Sequence, residues 1–320
     1  MNQSFKKVNT PESVFERKEL AYIRGKIVSI QDANINIMTQ SFLFGTAIHE
    51  GLRGYYNEDH KQIYIFRLAD HFNRMYKNSN ILKMKDYVKP QELCEITRQL
   101  IEKNKFKSDC YIRAILYKSG LQYSLQLANV NDFALFTVEQ NGFSNASKNI
   151  SVCISSWRRI QDNAIPARAK INGAYVNSSL AMTEASDNGF DDAIFLTETG
   201  SVAEGTGMNL FLVCGNKIIT PPNTDDILEG ITRDTIFSII KNELNMELEI
   251  RSIDRSELYM ADELFFCGTA VEILNVSSVD HRLIGNSLNY PVSELIKQHF
   301  FSIVRGNNKK YMDWLTPVYL

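Results

Sequence analysis

The feature that most constrains this chain is a break in its patterning. Residues 139–148 read Glu-Gln-Asn-Gly-Phe-Ser-Asn-Ala-Ser-Lys. This run is rich in Asn, Ser and Gly and has no apolar periodicity, so it offers neither a strand face nor a helix face to bury. It predicts an interdomain linker. The 320 residues then divide into a smaller unit, 1–138, and a larger one, 149–320, each of a size that supports its own core.

The first unit opens with hairpin-like segments. Ala21-Tyr-Ile and Lys26 to Ile30 flank the turn dipeptide Arg24-Gly25, and Gln62 to Phe66 reads as a strand. Leu68 to Lys77 has helical spacing. Pro90 at an early helical position predicts a helix to about Asn104. Strands follow at Tyr111 to Tyr117 and Asp132 to Val138. In the second unit a strand at Ile150 to Ser155 precedes a helix from about Gly173 to Asp187. Val176, Leu180, Ala181 and Ala185 fall on roughly one face of that helix, with Gly189 placed to cap it. Strands at Asp192 to Thr197, Asn209 to Val213 and Lys217 to Thr220 come next, the last two around a Gly215-Asn216 turn. A helix from Ile231 to Leu244, a strand at Glu247 to Ile253, a short helix near Ser256 to Met260, a strand at Glu263 to Cys267 and further strands complete the unit. The pattern predicts two α+β domains meeting at a cleft.

Composition narrows the function. Thirty-five basic residues stand against 37 acidic ones, so no electrostatic argument favours nucleic acid or an anionic membrane as partner. The five cysteines include no C-x-x-C pair and are odd in number, which fits reduced thiols rather than a disulfide framework or zinc site. The histidines lack metal-ligand spacing, and no metal is expected. Residues 1–18 are polar and charged, and no apolar run approaches the roughly 20 residues needed to cross a bilayer. A cytoplasmic protein is expected.

No P-loop and no G-x-S-x-G is present. Gly205-Thr-Gly207 resembles a fragment of a dinucleotide loop, yet it lacks the third glycine and precedes a β-like run. What remains is a dispersed set of groups that pyridoxal phosphate (PLP) would require. These are a lysine amine to bond the cofactor, an acid to keep the ring nitrogen protonated, and anchors for the phosphate. Gly230-Ile231-Thr232 at a helix start suits the phosphate, because free N–H groups and the helix dipole point at an anion there.

Ordered blocks sharpen this. Glu204-Gly-Thr-Gly-Met-Asn209-Leu-Phe211, Ile218-Ile-Thr220 and Leu228-Glu-Gly230-Ile231-Thr232-Arg233 resemble the signature of the class IV aminotransferases, PLP enzymes of fold type IV. Phe44-Gly-Thr-Ala-Ile-His-Glu50-Gly-Leu-Arg53, Ile65-Phe66-Arg67, Tyr111-Ile-Arg113, Ser155-Ser-Trp157, Ala169-Lys170-Ile-Asn-Gly-Ala-Tyr175 and Gly268-Thr269-Ala270-Val-Glu272-Ile273 are similar to blocks of the branched-chain amino acid aminotransferases. They run in family order from about residue 19 to the C-terminal Asp313-Trp-Leu-Thr-Pro-Val.

The resemblance implies a two-domain fold like that of D-amino acid aminotransferase, with a small N-terminal domain and a larger one built on a barrel-like sheet. It implies that Lys170 bonds the cofactor and shuttles the substrate proton, that Tyr175 hydrogen-bonds the ring's 3-oxygen, and that Glu204 pairs with the ring nitrogen. Arg67, Ile231, Thr232 and Thr269 would bind the phosphate while Leu228 packs on the ring. Thr269 and Ala270 backbone groups would receive the substrate carboxylate. Tyr111 and Arg113, at alternate strand positions and so on one face, would line the substrate side, with Arg113 available to glutamate's distal carboxylate. The implied reaction moves an amino group between an L-amino acid, branched-chain by default, and 2-oxoglutarate by a ping-pong mechanism. A homodimer or larger assembly is implied, with the site near the subunit interface.

Each residue also has a plainer reading: a lysine is usually a surface charge, and Thr232 could serve only as a helix cap. Two pocket positions depart from the family. Phe44 stands where tyrosine is common, and His49 where phenylalanine is common. Buried imidazole needs a partner, so His49 is expected either to be held by a neighbouring group or to tune the pocket toward more polar, aromatic or acidic side chains. The alternatives are a specialised biosynthetic aminotransferase, a lyase resembling aminodeoxychorismate lyase, a D-amino acid aminotransferase, and a ligand-binding protein without catalysis. Glu50-Gly-Leu-Arg53 and Tyr111-Ile-Arg113 favour the branched-chain subgroup, and intact Lys170 and Glu204 argue against the last.

Overall fold

A computed structural model describes residues 18–84, 87, 89–139, 149–286 and 289–319. The expected linker lies outside the described residues apart from Glu139. Two sheets carry the architecture, one on each side of it.

The first sheet contains β1 (Leu20–Ile23), β2 (Lys26–Ser29), β3 (Ala47–Asn57), β4 (Gln62–Phe66), β5 (Cys110–Lys118), β6 (Asn131–Glu139) and the C-terminal β16 (Leu315–Pro317), in the order β16-β4-β3-β5-β6-β1-β2. All its pairings are antiparallel. Helices α2 (Leu68–Ser79) and α3 (Pro90–Asn104) pack against it. Pro90 starts α3 as anticipated, since proline has no amide hydrogen to lose at a first helical position. A short helix, α1 (Gln40–Phe44), precedes β3 and ends at Gly45, whose φ of 67° is left-handed.

The second sheet is mixed. Its strands are β7 (Ile150–Arg158), β8 (Asp192–Leu196), β9 (Val202–Gly205), β10 (Asn209–Cys214), β11 (Lys217–Thr220), β12 (Glu247–Ile250), β13 (Glu263–Gly268), β14 (Glu272–Val279) and β15 (Arg282–Leu283). The order is β12-β11-β10-β13-β14-β7-β8-β9, with β15 beside β14, and the sheet curls into a half-barrel. Helices α4 (Tyr175–Asp187), α5 (Ile231–Glu243) and α6 (Pro291–Val304) complete the unit.

Two sequence expectations need correcting. The closing region, expected as further strands, also holds α6, with Pro291 in its first turn. Its first N–H groups are satisfied from a distance, because Glu263 accepts from the backbone N–H of Val292 at 2.8 Å and of Ser293 at 2.9 Å. On α4 the expected buried residues Val176 and Leu180 are both exposed, and the buried face is Ser178, Ala181 and Ala185. Small side chains let the helix lie close on β7 and β8. Strand β16 returns from the end of the chain to the first sheet, its Leu315 opposite Phe66.

That return helps form a shared core. Tyr55, Tyr64, Phe66 and Leu315 from the first sheet pack with Phe211, Ile236, Phe265 and Phe300 from the second unit. Burial of such side chains stabilises by roughly 1.5–3 kcal/mol each, which holds the two sheets in a fixed relation. The cleft lies where they meet.

Candidate active site

A cleft of about 240 Å³ is lined by residues of both units, among them His49, Tyr111, Arg113, Lys170, Tyr175 and Glu204. Lys170 follows a 3-10 turn at Ala167–Ala169 and takes a left-handed φ of 53°, a conformation that costs energy in a non-glycine residue. Neighbours on both sides hold it there. Its N–H donates to the Ala167 carbonyl at 3.2 Å, its own carbonyl accepts from the His49 N–H at 3.2 Å, and Ile171 bridges to Ile48 of β3. The backbone is thus fixed while Nζ reaches the cleft and donates to the Tyr175 hydroxyl at 2.8 Å.

Glu204, near the end of β9, is 4% exposed. Its Oε2 accepts from Asn209 Nδ2 at 2.9 Å and from the Leu228 N–H at 3.1 Å, and its Oε1 lies 2.8 Å from Arg159 Nη2. Burial pushes this carboxyl above its usual range, and the Arg159 guanidinium opposes that push. A buried acid held by three donors is a fitted partner for a cationic ring nitrogen. Nothing in the sequence singles out Arg159, one of two adjacent arginines after a strand. Asn209 also bridges to the Leu228 carbonyl at 2.9 Å.

Helix α5 starts here. Its N-cap is Gly230, and no side chain caps the first turn, so the N–H groups of Ile231 and Thr232 are available to an anion. A Cβ on Gly230 would fall 2.0 Å from Asn209 Oδ1. Glycine is therefore what lets this turn approach the Glu204 cluster. Thr232 is buried, and Leu228 and the turn residues Thr269 and Ala270 complete this end of the cleft.

Tyr111 and Arg113 share the cleft face of β5, and both line the cavity. The phenol packs over Gly51, where a Cβ would meet its oxygen at 2.6 Å. Arg113 stacks against Tyr111 at 5.3 Å and makes no ion pair among the described residues.

Two expected residues sit outside the cleft wall. Arg67 lies behind the first turn of α5, where it is 2.5 Å from both Asp70 and Asp234, donates to the Ile231 carbonyl at 3.4 Å and stacks on Trp314 at 4.9 Å. Phe44 ends α1 and is 40% exposed.

Supporting residues emerge that sequence reasoning assigned no role. Glu50, fully buried, binds Arg74 through both oxygens at 2.8 and 2.6 Å and His71 at 2.8 Å. Arg74 in turn donates to the Glu229 carbonyl at 2.7 Å, tying β3 and α2 to the loop before α5. Arg53 pairs with Glu272 at 3.0 Å and donates to the Ala270 carbonyl at 3.4 Å. Glu272 has a φ of 60°, so this buried pair holds a strained turn.

The donor set fits PLP. It offers an amine beside a phenol, a buried carboxylate, and an uncapped helix start for a phosphate. Comparisons with known proteins agree. Residues 48–279 match the family model described as amino-transferase class IV. The probable branched-chain-amino-acid aminotransferase of Aquifex aeolicus is 44% identical, covering 94% of this chain and 97% of its own. The crystal structure of a branched-chain aminotransferase from Thermoproteus uzoniensis with norvaline superposes with a TM-score of 0.89 at 35% identity, covering 94% and 99% of the two chains. The branched-chain amino acid aminotransferase of Thermobaculum terrenum, solved in its PLP-bound holo-form, gives 0.89 at 33% identity, covering 95% and 100%. A fold of two sheets, one curled into a half-barrel, a cleft lined by Lys170 and Glu204, and relatives matched over nearly their whole length lead to one conclusion: this chain belongs to the class IV aminotransferases, transaminases of fold type IV that use PLP.

Proposed function

We propose that the protein transfers the amino group of branched-chain L-amino acids to 2-oxoglutarate by a ping-pong mechanism, donor and acceptor occupying one cleft in turn. The observation that carries the acceptor is Arg113, a half-buried guanidinium on the cleft wall with no carboxylate partner among the described residues. Desolvated cations of this kind are costly unless something anionic joins them, and the distal carboxylate of glutamate or 2-oxoglutarate meets that need.

Bound PLP supplies an electron sink that acidifies the substrate's α-carbon. Lys170 would bond the cofactor and carry the proton at its Nζ, with Tyr175 orienting the amine and available to the ring's 3-oxygen. Glu204 would keep the ring nitrogen protonated, and Leu228 would pack on the ring. The N–H groups of Ile231 and Thr232, the Thr232 hydroxyl and Thr269 would take the phosphate. Arg67 supports that turn from behind and meets the phosphate itself only by releasing Asp70 or Asp234. Thr269 and Ala270 receive the α-carboxylate, and Tyr111 closes the substrate side.

A second copy of the chain is part of this reading. Ile37, Met38, Phe42, Leu43 and Phe44 are exposed beside Leu121, Tyr123 and Leu125. The two segments are joined by Gln40, whose side chain donates to the Ser124 and Gln126 carbonyls. Such a patch is characteristic of an interface. Phe44 on this face would then meet substrate in the partner's cleft. The five free cysteines support a reducing, cytoplasmic setting.

The test is to incubate the PLP-loaded protein with L-leucine and 2-oxoglutarate and quantify glutamate and the product oxo acid. Glutamate formation with parallel double-reciprocal lines is expected, and loss of bound-cofactor absorbance in Lys170→Ala. No glutamate from leucine, isoleucine or valine would refute the substrate assignment. The rival of a specialised aminotransferase on the same scaffold draws its support from His49.

A further inference from the structure

His49 is a cleft residue with a defined ring orientation. On β3, His49 and Gly51 face the cavity while Glu50 and Leu52 face the other way, as strand alternation requires. The imidazole packs against Tyr175 with ring centroids 4.7 Å apart, and Tyr175 is the residue that meets Lys170 Nζ. It is therefore one residue removed from the reacting amine. Its Nδ1 lies 2.8 Å from Asn172 Oδ1. An amide oxygen accepts only, so Nδ1 must carry the hydrogen. The ring is also kept neutral: burial, with Lys170 and Arg113 nearby, pushes its pKa down to about 3. A neutral ring protonated at Nδ1 has a bare Nε2, and that nitrogen makes no hydrogen bond among the described residues.

We propose that His49, set by Asn172 in the tautomer with a bare Nε2, is a specificity-determining residue that offers a hydrogen-bond acceptor to the substrate side chain. The pocket accordingly takes amino acids bearing a neutral hydroxyl donor in addition to purely aliphatic ones. This rests on the aminotransferase reading above. Carboxylate side chains are not served by His49, because a lone pair faces a lone pair, and their site remains Arg113. A buried acceptor discriminates by what it leaves unpaired: a methyl group in place of the hydroxyl gives Nε2 no donor.

The experiment compares side chains that differ only by hydroxyl against methyl. For the PLP-loaded enzyme, kcat/KM is measured for L-threonine against L-valine and for L-homoserine against L-norvaline. His49→Phe is expected to lower the hydroxyl-to-methyl ratio roughly tenfold in at least one pair, the loss of one neutral hydrogen bond. A ratio, unlike an absolute rate, is not moved by general damage to the site. Asn172→Asp places a carboxylate on Nδ1, charges the ring and turns Nε2 into a donor. It is expected to raise the preference for acidic side chains, and it carries the test if His49→Phe does not fold. Independently of turnover, nitrogen-15 NMR of labelled histidine reads the tautomer, with His49 identified by the signal its substitution removes. A pyridine-type Nε2 is expected. A protonated Nε2, or ratios unchanged in both pairs, overturns the proposal. If the wild type makes no glutamate from any amino acid, the aminotransferase reading has failed instead, while the tautomer result still stands or falls by itself.

Discussion

Arg159 Nη2 lies 2.8 Å from Glu204 Oε1, with the two side chains 9% and 5% exposed. The pair joins the end of β7 to β9, and the guanidinium opposes the upward push that burial gives the carboxyl. Arg159 is itself steadied by a 3.2 Å bond from Nε to the Asp226 carbonyl.

Arg159→Met is expected to raise the Glu204 carboxyl further, since burial would act without its main opponent. The acid limb of the kcat/KM profile should move to higher pH, as an ionised Glu204 is required. Removing one partner of a buried pair also destabilises, here by about 3 kcal/mol. A pH–rate profile with the acid limb unmoved would assign Arg159 a packing role only.

Arg113→Met should separate the two halves of the reaction. The KM for 2-oxoglutarate and for glutamate is expected to rise about thirtyfold, the worth of a charged hydrogen bond of about 2 kcal/mol. The KM for leucine should change far less. Equal effects on all three substrates would remove the distal-carboxylate assignment.

Gly230→Ala places a methyl group 2.0 Å from Asn209 Oδ1. Overpacking of this kind costs about 1–3 kcal/mol, and here it pushes apart the turn of α5 and the Glu204 cluster. A lower melting temperature and faster loss of PLP on dialysis are expected. A variant that retains PLP like the wild type would show that the turn relaxes freely.

His49 gives the native state a pH dependence whose sign follows from its lowered pKa. The unfolded imidazole titrates near 6.5 and the folded one near 3. Its stabilising contribution is therefore complete above 6.5 and is lost as pH falls toward 3. Relative to wild type, His49→Phe should gain about 1 kcal/mol for each pH unit below 6.5. Paired thermal melts at pH 7, 6 and 5 read this. A constant difference across that range would mean that the imidazole is freely charged in the fold.

Local chemistry makes much of this molecule legible in advance. Helix α3 starts at Pro90 and ends at Asn104 as its sequence predicts, because proline positions and apolar spacing act within a few residues. Strands β5, β6, β10 and β11 fall within a residue or two of their expected ends for the same reason. Lys170, Glu204 and Gly230-Ile231-Thr232 stand out through motif blocks, and the structure gathers them in one cleft.

The remainder depends on residues far apart in the chain. Nothing near Arg159 in sequence announces a carboxylate 45 positions later, and nothing near Arg53 announces the turn at Ala270 and Glu272. Helix α6 takes its cap from Glu263, on a strand preceding it. On α4 the apolar count favours Val176 and Leu180, yet close approach to β7 and β8 selects the small residues Ser178, Ala181 and Ala185. His49 is visibly out of pattern in the sequence, but only the fold places Asn172 against it. The sequence by itself determined the family, most of the element types and the block that carries Lys170, because these depend on short-range spacing. The surroundings of Glu204, the pairing of His49 with Asn172 and the position of Phe44 off its own cleft were decided by tertiary structure. Burial and long-range pairing exist only once the two sheets have met.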